Sequence, residues 1–163
     1  MNTDDFWNII DRVHAANPAD MDAKCEGLRA ELRKLGADDL KDFIHHFDTA
    51  DARAYDWKLW GAAYVIQGGC SDDSFSDFRA TLISMGRAFY ERALADPDSL
   101  ADTQFDEEYS CYEGYQYVKN DVAKEIMGAI PDSNVKYPSD PTGDSWEEED
   151  LPALLPRLAR KFS

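Results

Sequence analysis

The chain has 163 residues, enough for one domain with a single sizeable core. Its apolar content of 44%, with 12% aromatic, excludes a disordered chain. The formal charge of −16, from 33 acidic against 17 basic residues, disfavours nucleic acid and anionic membrane as partners and favours a basic one.

Apolar residues recur at helical spacing almost from the start. Thr3 is the expected N-cap of a first helix, with Asp4 and Asp5 in its first turn and Phe6, Ile9, Ile10 and Val13 on its apolar face. Asn17-Pro18 ends it. A second helix is predicted over about 19–35, striped by Met21, Cys25, Leu28, Leu32 and Leu35, with Gly36 as the residue after its C-cap. A third starts near Asp38 and carries Leu40, Phe43, Ile44 and Phe47. Residues 51–67 read as a fourth, with Trp57, Trp60 and Tyr64 on one face.

Gly68-Gly69 breaks the pattern, and Ser71 or Asp72 caps a fifth, amphipathic helix with Phe75, Phe78, Leu82 and Met85 at core spacing. Gly86 is a candidate interruption before the pattern resumes up to Asp96-Pro97. A sixth helix is predicted from about Phe105 to Met127. The segment around 131–143, with three prolines, reads as a surface loop strapping a short final helix to the core, and Pro152 fits that helix's first turn. No alternating strand pattern, hairpin signal or internal repeat is present. The expected fold is therefore all-α, one helical domain over 1–163 with about six or seven helices.

The opening Met-Asn-Thr-Asp-Asp-Phe-Trp has neither the basic nor the apolar region of a secretory signal, and no apolar run approaches a membrane span. Cys25, Cys70 and Cys111 are odd in number, widely spaced and free of any C-x-x-C pair, so no disulfide framework or zinc ribbon is expected. The expected compartment is the reducing cytoplasm.

The most informative stretch runs from Trp60 to Arg79: Trp-Gly-Ala-Ala-Tyr-Val-Ile-Gln-Gly-Gly-Cys-Ser-Asp-Asp-Ser-Phe-Ser-Asp-Phe-Arg. It is similar to the signature of a bacterial family defined as domain of unknown function 4240. Phe6-Trp-Asn-Ile-Ile-Asp11, Ala93-Leu-Ala-Asp-Pro-Asp-Ser-Leu-Ala-Asp102 and Glu149-Asp-Leu-Pro-Ala-Leu-Leu-Pro-Arg-Leu158 resemble it in family order. The resemblance implies a small bacterial domain and assigns no catalytic residue.

The same corner holds the candidate ligand-binding residues Trp60, Tyr64, Cys70, Asp72, Asp73 and Arg79. Cys70 precedes a helix start, whose dipole favours a thiolate, but a nucleophile also needs a base, and His14, His45 and His46 are remote in sequence. A small packing cysteine is the simpler reading. Asp72 and Asp73 fit acid–base or hard-cation chemistry, or plain capping and dipole charge. Trp57, Trp60 and Tyr64 make either a core stripe or a ligand platform. Arg79 lies seven residues after Asp72 on the same helical face, which gives an ion pair or an anion-binding group.

From Ala93 to Val118 there are seven acidic residues and no Lys or Arg, interleaved with tyrosines. Asp106, Glu107, Glu108, Tyr112 and Glu113 are candidates for contact with a basic partner, the alternative being a solvated helix face. Glu147 to Asp150 is expected to stabilise the start of the last helix. Adjacent His45 and His46 are about 100° apart on a helix and cannot chelate one metal. No P-loop, dinucleotide fingerprint, H-E-x-x-H or G-x-S-x-G occurs. No cofactor, metal or catalytic residue is therefore expected. The functional expectation is an acidic cytosolic binding protein, of the immunity or antitoxin type, that neutralises a basic protein partner. The alternative is a small enzyme or ligand sensor with its pocket at the Trp60–Arg79 corner.

Overall fold

A computed structural model describes residues 1–163 as ten α-helical segments with 3-10 turns between them and no strand. The first four are α1 (Thr3–Ala16), α2 (Met21–Arg33), α3 (Ala37–Arg53) and α4 (Trp57–Gln67). They are followed by α5 (Asp72–Ser84), α6 (Arg87–Ala95), α7 (Glu107–Ser110) and α8 (Val118–Met127). Two short pieces, α9 (Leu151–Leu154) and α10 (Pro156–Lys161), end the chain. The all-α expectation holds, and the count exceeds seven because each of the last three expected helices is split in two.

The splits have local causes. Gly86, at φ 97°, separates α5 from α6. A Cβ there would come within 2.8 Å of the Asp11 carboxylate, whose Oδ1 accepts from the Arg87 N–H at 2.9 Å and so caps α6 from α1. The predicted helix from Phe105 to Met127 is four residues of α7, a loop through Gly114 and a 3-10 turn (Tyr115–Tyr117) before α8. Leu155, outside helical backbone and followed by Pro156, divides α9 from α10.

Three helix starts differ from expectation. Asn2, not Thr3, caps α1 in a reciprocal capping box with Asp5. Gly36 does not close α2. It is the N-cap of α3 at an ordinary φ of −72°, because Lys34 and Leu35 already wind α2 to its end with bonds back to Glu31 and Leu32. The predicted fourth helix loses its first turn: 51–53 belong to α3, and α4 begins only after Asp56, whose carboxylate accepts from Leu59 N–H at 3.1 Å.

Helix α5 is central. It packs against α1, α3, α4, α6 and α7, and Phe78 to Ser84 are buried on every side of it. The sequence presents it as amphipathic because Thr81 and Ser84 count as polar, yet both bond back to carbonyls of their own helix, at Asp77 and Thr81. Helices α1, α2, α3 and α8 pack together on one side, α4, α9 and α10 pack together on the other, and α6 lies against α1 and α5. One continuous cluster of 34 buried apolar residues runs from Phe6 to Leu158.

After α8 the chain crosses the surface without helix from 129 to 147 and docks on the start of α4. Thr142 makes an isolated parallel bridge with Asp56, its N–H donating to Tyr55 O at 3.0 Å and its carbonyl accepting from Trp57 N–H at 2.9 Å. The Trp146 indole N–H donates to Trp57 O at 2.5 Å. Gly61 makes this approach possible: a Cβ there would lie 2.9 Å from Leu151 Cδ2 and 3.2 Å from Trp146 Nε1. The loop is a strap, as its prolines suggest.

Candidate functional site

The Trp60–Arg79 corner folds as its glycines and cap residues dictate. Gly68 closes α4 in the left-handed region, and Ser71, the first of the two expected caps, accepts from Ser74 N–H at 3.1 Å to start α5. The aromatic stripe is packed on itself. Trp60 stacks between Trp57 and Phe75 with centroids 5.5 and 5.0 Å apart, and its indole N–H donates to Cys70 O at 2.9 Å. Tyr64 packs edge-on against Trp146 of the strap. No free aromatic platform is left, and the six candidate ligand residues line none of the principal clefts.

Cys70 is a packing thiol. Burial, helped by neighbouring Cys111, pushes its pKa up to about 12 against the pull of Arg79, and its S–H reaches only Ser71 O at 3.6 Å. No histidine pairs with it: His45 contacts Ser133 O, His46 contacts Met1 O, and the His14 Nδ1 is buried without a partner elsewhere. Asp72 accepts from the Tyr55 hydroxyl at 3.0 Å, and Asp73 is exposed.

Arg79 does not pair with Asp72. Seven residues of helix separate them by about 10 Å along the axis, and the guanidinium turns inward while Asp72 stays outside. It donates instead from Nε to Asp51 Oδ1 at 2.9 Å, with the two side chains only 6% and 13% exposed. The cation lies over the rings of Phe75 and Tyr55, at 4.5 and 4.8 Å from their centroids, and its Nη1 is buried without a hydrogen bond. Tyr137 of the strap donates to the other Asp51 oxygen. Lys119 of α8, also buried, stands 3.6 Å from Asp48, donates to Gln116 O at 2.6 Å and lies over the Phe47 ring. Burial pushes the Asp51 carboxyl up, against Arg79 and Lys119, and pushes the Lys119 ammonium down. This network ties α3, α5, α8 and the strap together.

Sequence reasoning missed Asp51, Lys119 and a third buried ion, Lys24. The signal was register: Asp51 is four residues after Phe47, Lys119 four after Tyr115, and Lys24 three after Met21, each on an apolar face. No group of three or more His, Cys, Asp or Glu side chains converges as a metal ion would require.

The acidic, tyrosine-rich segment divides by task. Asp98 is buried and accepts from Arg157 and Leu158 N–H at the start of α10; Asp102 pairs with Arg92 and Arg157; Asp106 caps α7. Tyr115 is core, and the Tyr112 hydroxyl is bound to Asp22. Glu107, Glu108 and Glu113 remain exposed. Glu113 lies near Asp73 and Asp77 of α5: burial raises the Asp77 pKa against a hydrogen bond from Gln116, and Glu113 and Asp73 raise it further. Glu107 and Glu108, on α7 packed between α5 and α4, border a cleft with Ile66 and Phe162. The one basic residue between Lys58 and Arg87 is Arg79, which is buried, and none follows Arg92 until Lys119.

The family model described as a protein of unknown function (DUF4240) matches residues 1–125. The chain belongs to that family. No curated protein and no solved structure matches it. The matched span runs from α1 almost to the end of α8, so it holds the corner, the ion network except Tyr137, and the whole acidic face; the strap, α9 and α10 lie beyond it. No helix is long and apolar enough to cross a membrane.

Proposed function

We propose that the protein works by binding a basic protein partner through the acidic surface of α7 and the loop after it, with Glu107, Glu108 and Glu113, flanked by Asp73 and Asp77 of α5, as an immunity- or antitoxin-type neutraliser does. The observation that carries this reading is that Glu107, Glu108 and Glu113 stay exposed on α7 and the loop after it, beside α5 with its Asp73 and Asp77, in a stretch of chain with no Lys or Arg from Ala93 to Val118. Such a face attracts a cationic surface from a distance and orients it. Asp72 and Asp106 border it with their caps and hydrogen bonds already made, and Tyr112 anchors its rim through Asp22. The excess of negative charge speaks against nucleic acid and anionic membrane as targets, and three unpaired cysteines suit a reducing cytoplasm.

Affinity capture from source-cell extract, comparing the wild type with a Glu107→Lys, Glu108→Lys, Glu113→Lys variant, tests the reading. A basic protein retained by the first and lost by the second is expected. Its association rate falls with added salt as the Debye length shrinks from about 10 Å at 0.1 M to about 3 Å at 1 M. A partner that binds both proteins equally, or associates at a salt-independent rate, moves the interface off this face.

A further inference from the structure

Lys24 is the most deeply buried charged side chain, at 0% exposure. It sits on the apolar face of α2, and its ammonium donates only to Ser84 O at 3.3 Å and to the Met85 sulfur, a weak acceptor, at 3.4 Å. No carboxylate pairs with it. Burial lowers its pKa to about 8, so at neutral pH it still carries most of its charge in a place that offers no counter-charge.

Beside it lies a cleft of about 360 Å³, within the size range of small-molecule sites. Lys24 lies behind its wall, where lining residue Met85 touches the ammonium and lining residue Met21 accepts from the Ser84 hydroxyl at 3.7 Å; Phe89, Phe105 and Tyr109 line the cleft too. His14 borders the same cleft with Nδ1 buried and unpartnered, and burial together with Lys24 lowers its pKa, which keeps the ring neutral.

We propose that this cleft binds a small apolar molecule ending in a carboxylate, with its hydrocarbon body against Phe89, Phe105 and Tyr109 and its anionic end on Lys24. Met21 and Met85 are the gate between the two. Methionine side chains are unbranched and adaptable, and rotation of Met85 exchanges a thioether for a carboxylate oxygen on the ammonium. An Nδ1–H tautomer of His14 donates to the second oxygen. An alcohol would give the ammonium an acceptor without a charge, and an amine would repel it. The net charge of −16 opposes casual anion binding elsewhere, so uptake of an apolar carboxylate depends on this buried cation.

The titratable and charged groups that surround Lys24 and the cleft are His14 and Asp11 on α1, Cys25 beside it on α2 and Tyr109 across the cleft; the end of α5 presents Ser84 and its C-cap Met85. Binding of the carboxylate to protonated Lys24 makes affinity flat between about pH 6, where the ligand is fully ionised, and about pH 8, and weaker above that as the ammonium is lost.

The test is titration of the full chain with octanoate, octanol and octylamine, followed through the methionine methyl resonances. Octanoate is expected to shift Met21 and Met85 and to bind at least about tenfold more tightly than octanol. Lys24→Met, which keeps the side-chain length, is expected to remove that preference while octanol still binds. Ala19→Trp, at the exposed mouth of the cleft, blocks both without touching the core and carries the test if Lys24→Met fails to fold. Equal affinity for octanoate and octanol, a preference that survives Lys24→Met, or octanoate binding unchanged by Ala19→Trp overturns the proposal.

Discussion

At the scale of single residues, the structure concentrates its electrostatic tension in a few buried ions. Lys24 has no anion, and moving its pKa from 10.5 to about 8 corresponds to a cost on the order of 3 kcal/mol at neutral pH. Lys24→Met is therefore expected to raise stability at pH 7 by about 1–3 kcal/mol in urea denaturation. The sign with pH is opposite to the usual alkaline loss. Between about pH 8 and 10.5 the unfolded chain holds the lysine proton and the folded one does not, so the lysine's cost fades as pH rises. Cys25, Cys70 and Cys111, whose thiols burial pushes up, pull the other way in that range. The advantage of the variant over the wild type should thus shrink from pH 7 to pH 10, and a constant advantage would mean that Lys24 is not the source. Asp51 is the converse case. Asp51→Asn leaves the Arg79 guanidinium buried without its anion and should cost about 3–5 kcal/mol, whereas Asp51→Leu with Arg79→Met should recover much of that loss. None of this was plain in the sequence. Asp51 reads as part of a new helix's first turn, where a carboxylate is expected to be exposed, and a lone lysine on an apolar face gives no hint that it lacks a partner.

At the scale of elements, helix type was legible and helix ends were legible only where a cap residue stood alone. Ser71 after a double glycine is such a case, and Ser71→Ala should cost about 1 kcal/mol in thermal unfolding, while exposed Asp73→Asn should be neutral to within about 0.5 kcal/mol. If Asp73→Asn proves the costlier change, the cap has been misplaced. The α3–α4 boundary was missed because Ala50, Ala52 and Ala54 keep helical propensity high through the break, although Asp56 three residues before Leu59 is a cap in its own right. The interruption at Gly114 and the splitting of the last helix depend on tertiary docking, which periodicity does not record. Gly61 is likewise silent in sequence, where a mid-helix glycine suggests only weakness. Its space is filled by Leu151 and Trp146, so Gly61→Ala should destabilise by about 1–2 kcal/mol, the overpacking outweighing alanine's better helix propensity. Tryptophan fluorescence should shift as Trp146 leaves Trp57; an unchanged spectrum with higher stability would contradict that packing.

At the scale of the whole molecule, composition and spacing were enough for an all-α fold with one apolar cluster, because those depend on the sum of many residues. The location of the acidic surface was half legible: Glu107, Glu108 and Glu113 stood out in one acidic run, but Asp73 and Asp77, which lie near Glu113, come from a helix 30 or more residues earlier. The middle of the strap, between Gly128 and Thr142, is largely exposed and tied to the bundle by polar contacts of Ser133 with His45 and of Tyr137 with Asp51, whereas the chain from Thr142 onward is seated on α4 by Thr142, Trp146, Leu151 and Leu155. The C-terminal stretch therefore resembles a ligand that the chain carries for itself, held at high local concentration by a tether. A single proteolytic nick at the exposed Lys136 should leave two fragments associated under native conditions, separable only in denaturant. Co-expressed as separate pieces, 1–136 and 137–163 should find each other and restore the helical circular dichroism spectrum, and added peptide 137–163 should compete for the vacant groove of the larger piece.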